Sequence, residues 1–227
     1  MVLGTAQFGM DYGIANLNGK LSKDVVFRIL ACAWEKGIRR FDTAPGYGSE
    51  ALLGEFIAAN GLQDEAIVLT KIPSLDVVTD YANFLRKNID SSLKNLGCPI
   101  DVLFFHDAND SELLFTDPKF FKDLLLDHPV KTIGISVYEP KEIDKIADCG
   151  FELAFQFPFN VLDQRFEKVN IDAHTRAQFK RLDQPISLDR LGLLERDALT
   201  GDIAAAQKVD KVRAFVIPIA LSVFLYM

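Results

Sequence analysis

The feature that most constrains this chain is a rhythm in which short, unbroken apolar runs rich in β-branched and aromatic residues alternate with segments of helical periodicity. The runs are 2–9, opening on Val2 and Leu3 and reaching Gly9, then 39–43, 66–71, 101–106, 132–136 and 153–157. A strand with no polar side must be covered on both faces, which is the condition of a parallel sheet.

The segments between the runs carry helix punctuation. Ser22 stands at an N-cap position, Val25, Val26, Ile29, Leu30 and Ala33 repeat at helical spacing, and Gly37 offers a left-handed stop. The second unit repeats the pattern, with Ser49 as cap, a stripe of Leu52, Leu53, Phe56 and Ile57, and Gly61 at the end. A third helix is predicted from about Asp76 to Leu96, closed by Gly97. A fourth follows Asp117 and Pro118, where proline suits the first turn, and a fifth follows Glu139 and Pro140 and stops near Gly150. Alternation of this kind implies right-handed βα units in an α/β fold, either a closed eightfold barrel or an open doubly wound sheet; periodicity does not choose between them.

Beyond about Arg165 the rhythm blurs. Residues 171–194 are polar without a clean strand, 200–209 read as a short helix and 214–220 as a last strand. With no linker or low-complexity tract, one domain over 1–227 is expected. The apolar stretch 214–227 is shorter than the roughly 20 residues a membrane-spanning helix needs, and Pro218 interrupts it. A buried terminal strand is the expectation, with a membrane or partner contact as the alternative.

Charge and cysteine usage narrow the function classes. A formal net charge of −7 without a basic patch argues against general affinity for nucleic acid or anionic membrane. Cys32, Cys98 and Cys149 are odd in number, widely spaced and outside any C-x-x-C pattern, so neither a disulfide framework nor a metal site is expected. A reducing cytoplasm fits, and the first residues reach Gln7 and Asp11 before a signal-like apolar core could form.

In parallel α/β proteins ligands bind at the carboxyl ends of the strands. Four residues stand there: Asp42 at the end of the second run, Tyr47 in the loop Pro45-Gly46-Tyr47-Gly48, Lys71 at the end of the third run and His106 at the end of the fourth. Singly, each has an ordinary structural role in a turn or at a rim. Together they form a set that core packing does not require. Reduction of a carbonyl by hydride leaves an alkoxide, which needs a proton donor aimed at its oxygen. A tyrosine, with a reference pKa of about 10, gives its proton more readily beside an ammonium, and one charge contact at 4 Å is worth ~4 kcal/mol at an effective dielectric of ~20. Lys71 would be that ammonium and Asp42 its counter-ion, while a ring nitrogen of His106 would orient the carbonyl oxygen.

These residues resemble the aldo-keto reductases, whose pattern of Asp, Tyr-Gly, Lys and His is similar to FDTAPGYGSEALLGE, VLTK and VLFFHD here. The opening LGTAQFG, and TIGISVY followed by FQFPFN, look like further strands of that family, so the resemblance covers about residues 1–165. It implies a (β/α)8 TIM barrel and NADPH-dependent interconversion of a small-molecule carbonyl and an alcohol; a complete barrel of this class runs to about 250 residues, so this one would be compact or incomplete at its C-terminal strands. By the same resemblance, Asp42, Tyr47, Lys71 and His106 match the catalytic tetrad, Ser136 and Gln156 match positions that hold the nicotinamide amide, and Thr5, Ala6 and Asp42 lie beside the cofactor. Two departures stand out. Val137 replaces an asparagine common beside the serine, and the tail after the candidate eighth strand, 215–219, has no cation to clamp an adenosine 2′-phosphate. Arg181, Arg190, Lys208, Lys211 and Arg213 stand earlier. That second departure motivates the alternative of a catalytically inactive or redox-sensing barrel that acts by binding a partner.

One rival motif is present. Gly46-Tyr-Gly48-Ser-Glu-Ala51 matches G-x-G-x-x-A between a strand and a helix, but a dinucleotide fingerprint expects an acidic residue about 20 positions on, where the next run ends in Lys71.

Overall fold

The computed structural model describes residues 1–11, 19–146, 148–158, 165–166 and 223–225. Its strands are β1 (Val2–Gly4), β2 (Arg40–Asp42), β3 (Ile67–Ile72), β4 (Ile100–Phe105), β5 (Val130–Ser136), β6 (Leu153–Phe157) and β7 (Val223–Leu225). The helices are α1 (Ala6–Gly9), α2 (Lys23–Glu35), α3 (Glu50–Ala59), α4 (Tyr81–Leu96), α5 (Leu113–Thr116), α6 (Pro118–Asp127) and α7 (Pro140–Ile146).

Strand order decides the architecture. The strands lie side by side in chain order, and β1 to β6 pair in parallel, each with the next. A doubly wound sheet would reverse its order at a switch point. No reversal occurs from β1 to β6, and the sheet curls into a half-barrel, an incomplete (β/α) barrel. The seventh strand breaks the repeat: β7 pairs antiparallel to β6, so it is not a further βα unit. The expected strand at 214–220, the short helix at 200–209, the polar stretch 171–194 and the cations from Arg181 to Arg213 lie outside the described residues. Among those that are described, no helix is long and apolar enough to cross a membrane.

Side-chain alternation along the strands builds two layers. Phe41, Val68, Leu103, Phe105, Ile133, Ile135 and Phe155 point outward into the large core. There they meet Val26 and Leu30 of α2, Leu53 and Ile57 of α3, Leu85 and Ile89 of α4, and Phe121 and Leu124 of α6. Each such side chain contributes about 1.5–3 kcal/mol on burial. The intervening residues Leu69, Val102, Phe104 and Ala154 form a small second cluster inside the curl. Gly134 belongs to that inner layer, where a Cβ would stand 2.5 Å from the Phe104 ring.

Helix ends follow their punctuation in part. Gly37, Gly61 and Gly97 all adopt positive φ after α2, α3 and α4, and Pro118 opens α6 behind Asp117, whose carboxylate accepts from the Phe120 amide. Three expectations are corrected. The first run leaves the sheet at Gly4, and 6–9 wind into a single helical turn in which the Met10 amide donates to the Ala6 carbonyl. Helix α4 starts at Tyr81 rather than near Asp76, because the Asp80 carboxylate captures the Asn83 amide and fixes the start there. Ser22 and Ser49 occupy N-cap positions, but neither hydroxyl makes a capping bond.

Candidate active site

Strand parity explains why polar residues gather at one end of the barrel interior. Neighbours two apart on a strand share a face. Above Leu69 stands Lys71, above Phe104 stands His106, above Gly134 stands Ser136, and above Ala154 stands Gln156. Arg40 and Asp42 share the corresponding face of β2, since Phe41 between them points outward to stack on Trp34.

The centre of this rim is a buried ion pair. Lys71 Nζ lies 2.5 Å from Asp42 Oδ1, with side-chain exposures of 5% and 8%, and also donates to the Thr43 carbonyl at 3.2 Å. The ammonium sits 5.0 Å from the centre of the Tyr47 ring. That ring is carried by a 3-10 turn, Pro45–Tyr47, which Gly48 ends in the left-handed conformation at φ +67°. Burial pushes the Asp42 carboxyl above its ordinary range, opposed by the Lys71 ammonium, by a hydrogen bond from Gln156 and by His106.

His106 follows directly on β4 and reaches solvent. Desolvation and the neighbouring Lys71 charge hold its imidazole below the usual value, while Asp107 and Asp42 pull the other way. Its neutral form therefore persists to lower pH than that of a free histidine.

On the far side of the rim, Ser136 pairs in register with Gln156, and its hydroxyl donates to Gln156 Oε1 at 3.4 Å. Gln156 thus joins β5 to Asp42 on β2 across the interior. Thr5 occupies the opposite face. Its fully buried hydroxyl donates to the Asp42 carbonyl at 3.0 Å and lies 2.8 Å from Ser49 Oγ, while Ala6 opens α1 beside it. Asp42, Tyr47 and Lys71 are brought together, His106 is electrostatically linked to two of them, and Ser136 and Gln156 form a second polar pair.

Reading the sequence missed two partners near this site. Thr43 Oγ1 lies 3.0 Å from Ser49 Oγ, and Glu50 is buried with its carboxylate on the Thr70 hydroxyl. Each looks like a turn or helix-start residue in the sequence, so no local signal marks it. On the same rim, a groove of about 360 Å³ lies between the segments after β3 and β4, lined by Leu75, Val78, Tyr81, Asp110, Glu112 and Leu113.

A profile of the Aldo/keto reductase family matches residues 1–176. The chain belongs to that family. Aldo/keto reductases are oxidoreductases that generally work with NAD(P)H. Among curated relatives, D-threo-aldose 1-dehydrogenase from a Pseudomonas species is 33% identical over 142 residues, which is 48% of this chain and 43% of that protein. Aldo-keto reductase YhdN from Bacillus subtilis is 27% identical over 149 residues, 61% of this chain and 45% of its own length. Of solved structures, the glycerol dehydrogenase of Gluconobacter oxydans superposes with a TM-score of 0.57 at 26% identity, covering 75% of this chain and 54% of that one. A Pseudomonas aeruginosa chain shares the fold with a TM-score of 0.60 at 24% identity, covering 74% of this chain and 66% of its own. The present chain spans less than half the length of the curated relatives it matches.

Proposed function

We propose that the protein is an NADPH-dependent reductase that converts an aldehyde or ketone to an alcohol, with Tyr47 as proton donor, and that residues 1–227 form one barrel domain. The observation that carries this reading is the Lys71 ammonium, buried against Asp42 at 2.5 Å and lying 5.0 Å from the centre of the Tyr47 ring. Such an ammonium favours the phenolate left behind when the phenol gives up its proton. Asp42 gives the buried ammonium a counter-ion that offsets the cost of its desolvation. His106, held neutral, donates a ring N–H to the carbonyl oxygen and orients it.

The Ser136 hydroxyl and the Gln156 amide are buried and offer the donors and acceptor that a carboxamide requires, so these residues fit a nicotinamide, with Thr5 and Ala6 at the adjoining strand end. Bound NADPH would supply the hydride that adds to the carbonyl carbon. The electron pair of the C=O bond then moves to oxygen, the Tyr47 hydroxyl protonates it, and solvent restores the phenol. Segments after β3 and β4, which flank the groove, would read the remainder of the substrate. Three free thiols suit a reducing compartment such as the cytoplasm.

The test is NADPH oxidation over a panel of aldehydes and quinones. Wild-type turnover that falls about 10²–10⁴-fold in Tyr47→Phe supports the assignment. Unchanged turnover removes Tyr47 from the role. Failure to bind NADPH at millimolar concentration would favour the non-catalytic barrel instead.

A further inference from the structure

We propose that Ser49, with Thr43, Thr5 and Gly9, is a positioning device that clamps the Tyr47 turn over the Lys71 ammonium. This rests on the reductase reading for its consequence in catalysis, though not for its geometry.

A serine at the start of a helix ordinarily spends its hydroxyl on the first free amides of that helix. Ser49 precedes α3 but makes no such bond. Its hydroxyl lies instead between Thr5 Oγ1 at 2.8 Å and Thr43 Oγ1 at 3.0 Å, and all three residues are completely buried. The direction of the chain follows from proton counting, because each hydroxyl has one proton to give. Thr5 gives its proton to the Asp42 carbonyl at 3.0 Å, so Ser49 must donate to Thr5 and Thr43 must donate to Ser49. The result is a one-way chain from Thr43 through Ser49 and Thr5 to the backbone of Asp42, in which each bond polarises the next.

Both ends of the chain lie on residues that hold Lys71. Its ammonium contacts the Asp42 carboxylate and the Thr43 carbonyl. Ser49, in the middle, stands just after the turn that carries Tyr47, which is held by the bond from the Tyr47 amide to the Ala44 carbonyl at 3.0 Å and from the Gly48 amide to the Pro45 carbonyl at 3.1 Å. The chain therefore links the base of the Tyr47 turn to the groups that place the ammonium.

Gly9 supplies a second, independent constraint. A Cβ there would stand 1.9 Å from the Tyr47 carbonyl oxygen, 2.6 Å from the Gly48 carbonyl carbon and 2.7 Å from the Ser49 nitrogen. These are backbone atoms, which cannot swing aside as a flexible side chain can. The end of α1 thus lies in direct backbone contact with the turn, and only glycine permits that approach.

The experiment uses the full chain and reads amide hydrogen exchange in 44–49, kcat, and NADPH affinity in four variants. Ser49→Ala and Thr43→Val remove a link in the chain, Thr43→Ser keeps it, and Gly9→Ala forces the turn away. In Ser49→Ala and Thr43→Val, exchange in 44–49 is expected to quicken about tenfold or more. The same two variants should lose about 10- to 100-fold in kcat with NADPH affinity within about twofold, as expected for a small misplacement of a reacting group. Thr43→Ser should restore both exchange and kcat, and Gly9→Ala should show the largest effect where it folds. Unchanged exchange in Ser49→Ala and Thr43→Val overturns the clamp. So does quickened exchange with wild-type kcat, or a Thr43→Ser variant no better than Thr43→Val. A wild-type protein without turnover would sink the reductase reading, while the exchange measurements still decide the clamp on their own.

Discussion

Two buried carboxylates close together in the chain, Asp42 and Glu50, are satisfied by opposite kinds of partner. Asp42 lies on the inner face of the barrel and meets a full positive charge, the Lys71 ammonium at 2.5 Å. Glu50 lies in the outer layer between helices and sheet and meets neutral donors, the Thr70 hydroxyl at 2.7 Å and the Asn95 amide at 3.3 Å. Strand β3 supplies a partner to each from consecutive residues, Thr70 outward and Lys71 inward. The outer carboxylate ties α3, β3 and α4 together where the two helices approach closely, since a Cβ on Gly54 would stand 2.1 Å from the Asn95 carbonyl. A carboxylate held by neutral donors in a closed layer is a lock. One held by an ammonium that also lies under the Tyr47 ring at the rim carries a charge where a proton transfer would need one.

The sharpest way to break this contrast is Lys71→Met. It leaves Asp42 buried without a cation, and loss of one partner of such a pair costs about 3–5 kcal/mol, to be read from urea unfolding. Turnover should vanish with it. The pH dependence has a definite sign. A carboxyl whose folded pKa is raised contributes stability below its unfolded pKa and loses it as pH rises through the folded value. Without Lys71 the Asp42 pKa climbs further, so the deficit of the variant should shrink in acid and grow towards neutral pH. A deficit independent of pH would show that Asp42 is not the group left stranded.

A smaller effect is expected from Thr70→Val. Removing one neutral donor from buried Glu50 should cost about 1–3 kcal/mol in unfolding free energy, with turnover retained within a few-fold. Activity lost in proportion to stability would erase the distinction between the two layers.

The smallest effect belongs to His106. Its pKa is lowered in the folded chain, so the unfolded chain takes up the proton first as pH falls below about 6.5. Stability contributed by this residue is therefore present above 6.5 and lost as pH falls through the lower folded value. Comparing wild type with His106→Gln across that window should remove this limb from the stability profile. An identical profile in the two proteins would place His106 in ordinary solvent contact.

Much of the fold was legible because it depends on neighbours in sequence. The six parallel strands fall on the six apolar runs, and Gly37, Gly97 and Pro118 stand where they end or open helices. The order of Asp42, Tyr47, Lys71 and His106 on successive strand ends was legible for the same reason. Other features were hidden. Five residues before Tyr81 pass for helix until the Asp80 carboxylate is seen to take the Asn83 amide, and Ser49 passes for a cap until its hydroxyl is seen turned towards Thr5 and Thr43. Nor could periodicity choose a curled sheet over an open one, or make β7 antiparallel.

The amino-acid order alone determined which segments are strands and helices and which polar residues arrive at the strand ends, since alternation and turn chemistry act over a few residues. Tertiary structure decided that Lys71 belongs to Asp42 and Thr70 to Glu50, and that Thr5 serves Ser49. Those pairings depend on the register of strands and helices far apart in the chain, and register is fixed only when the two layers pack.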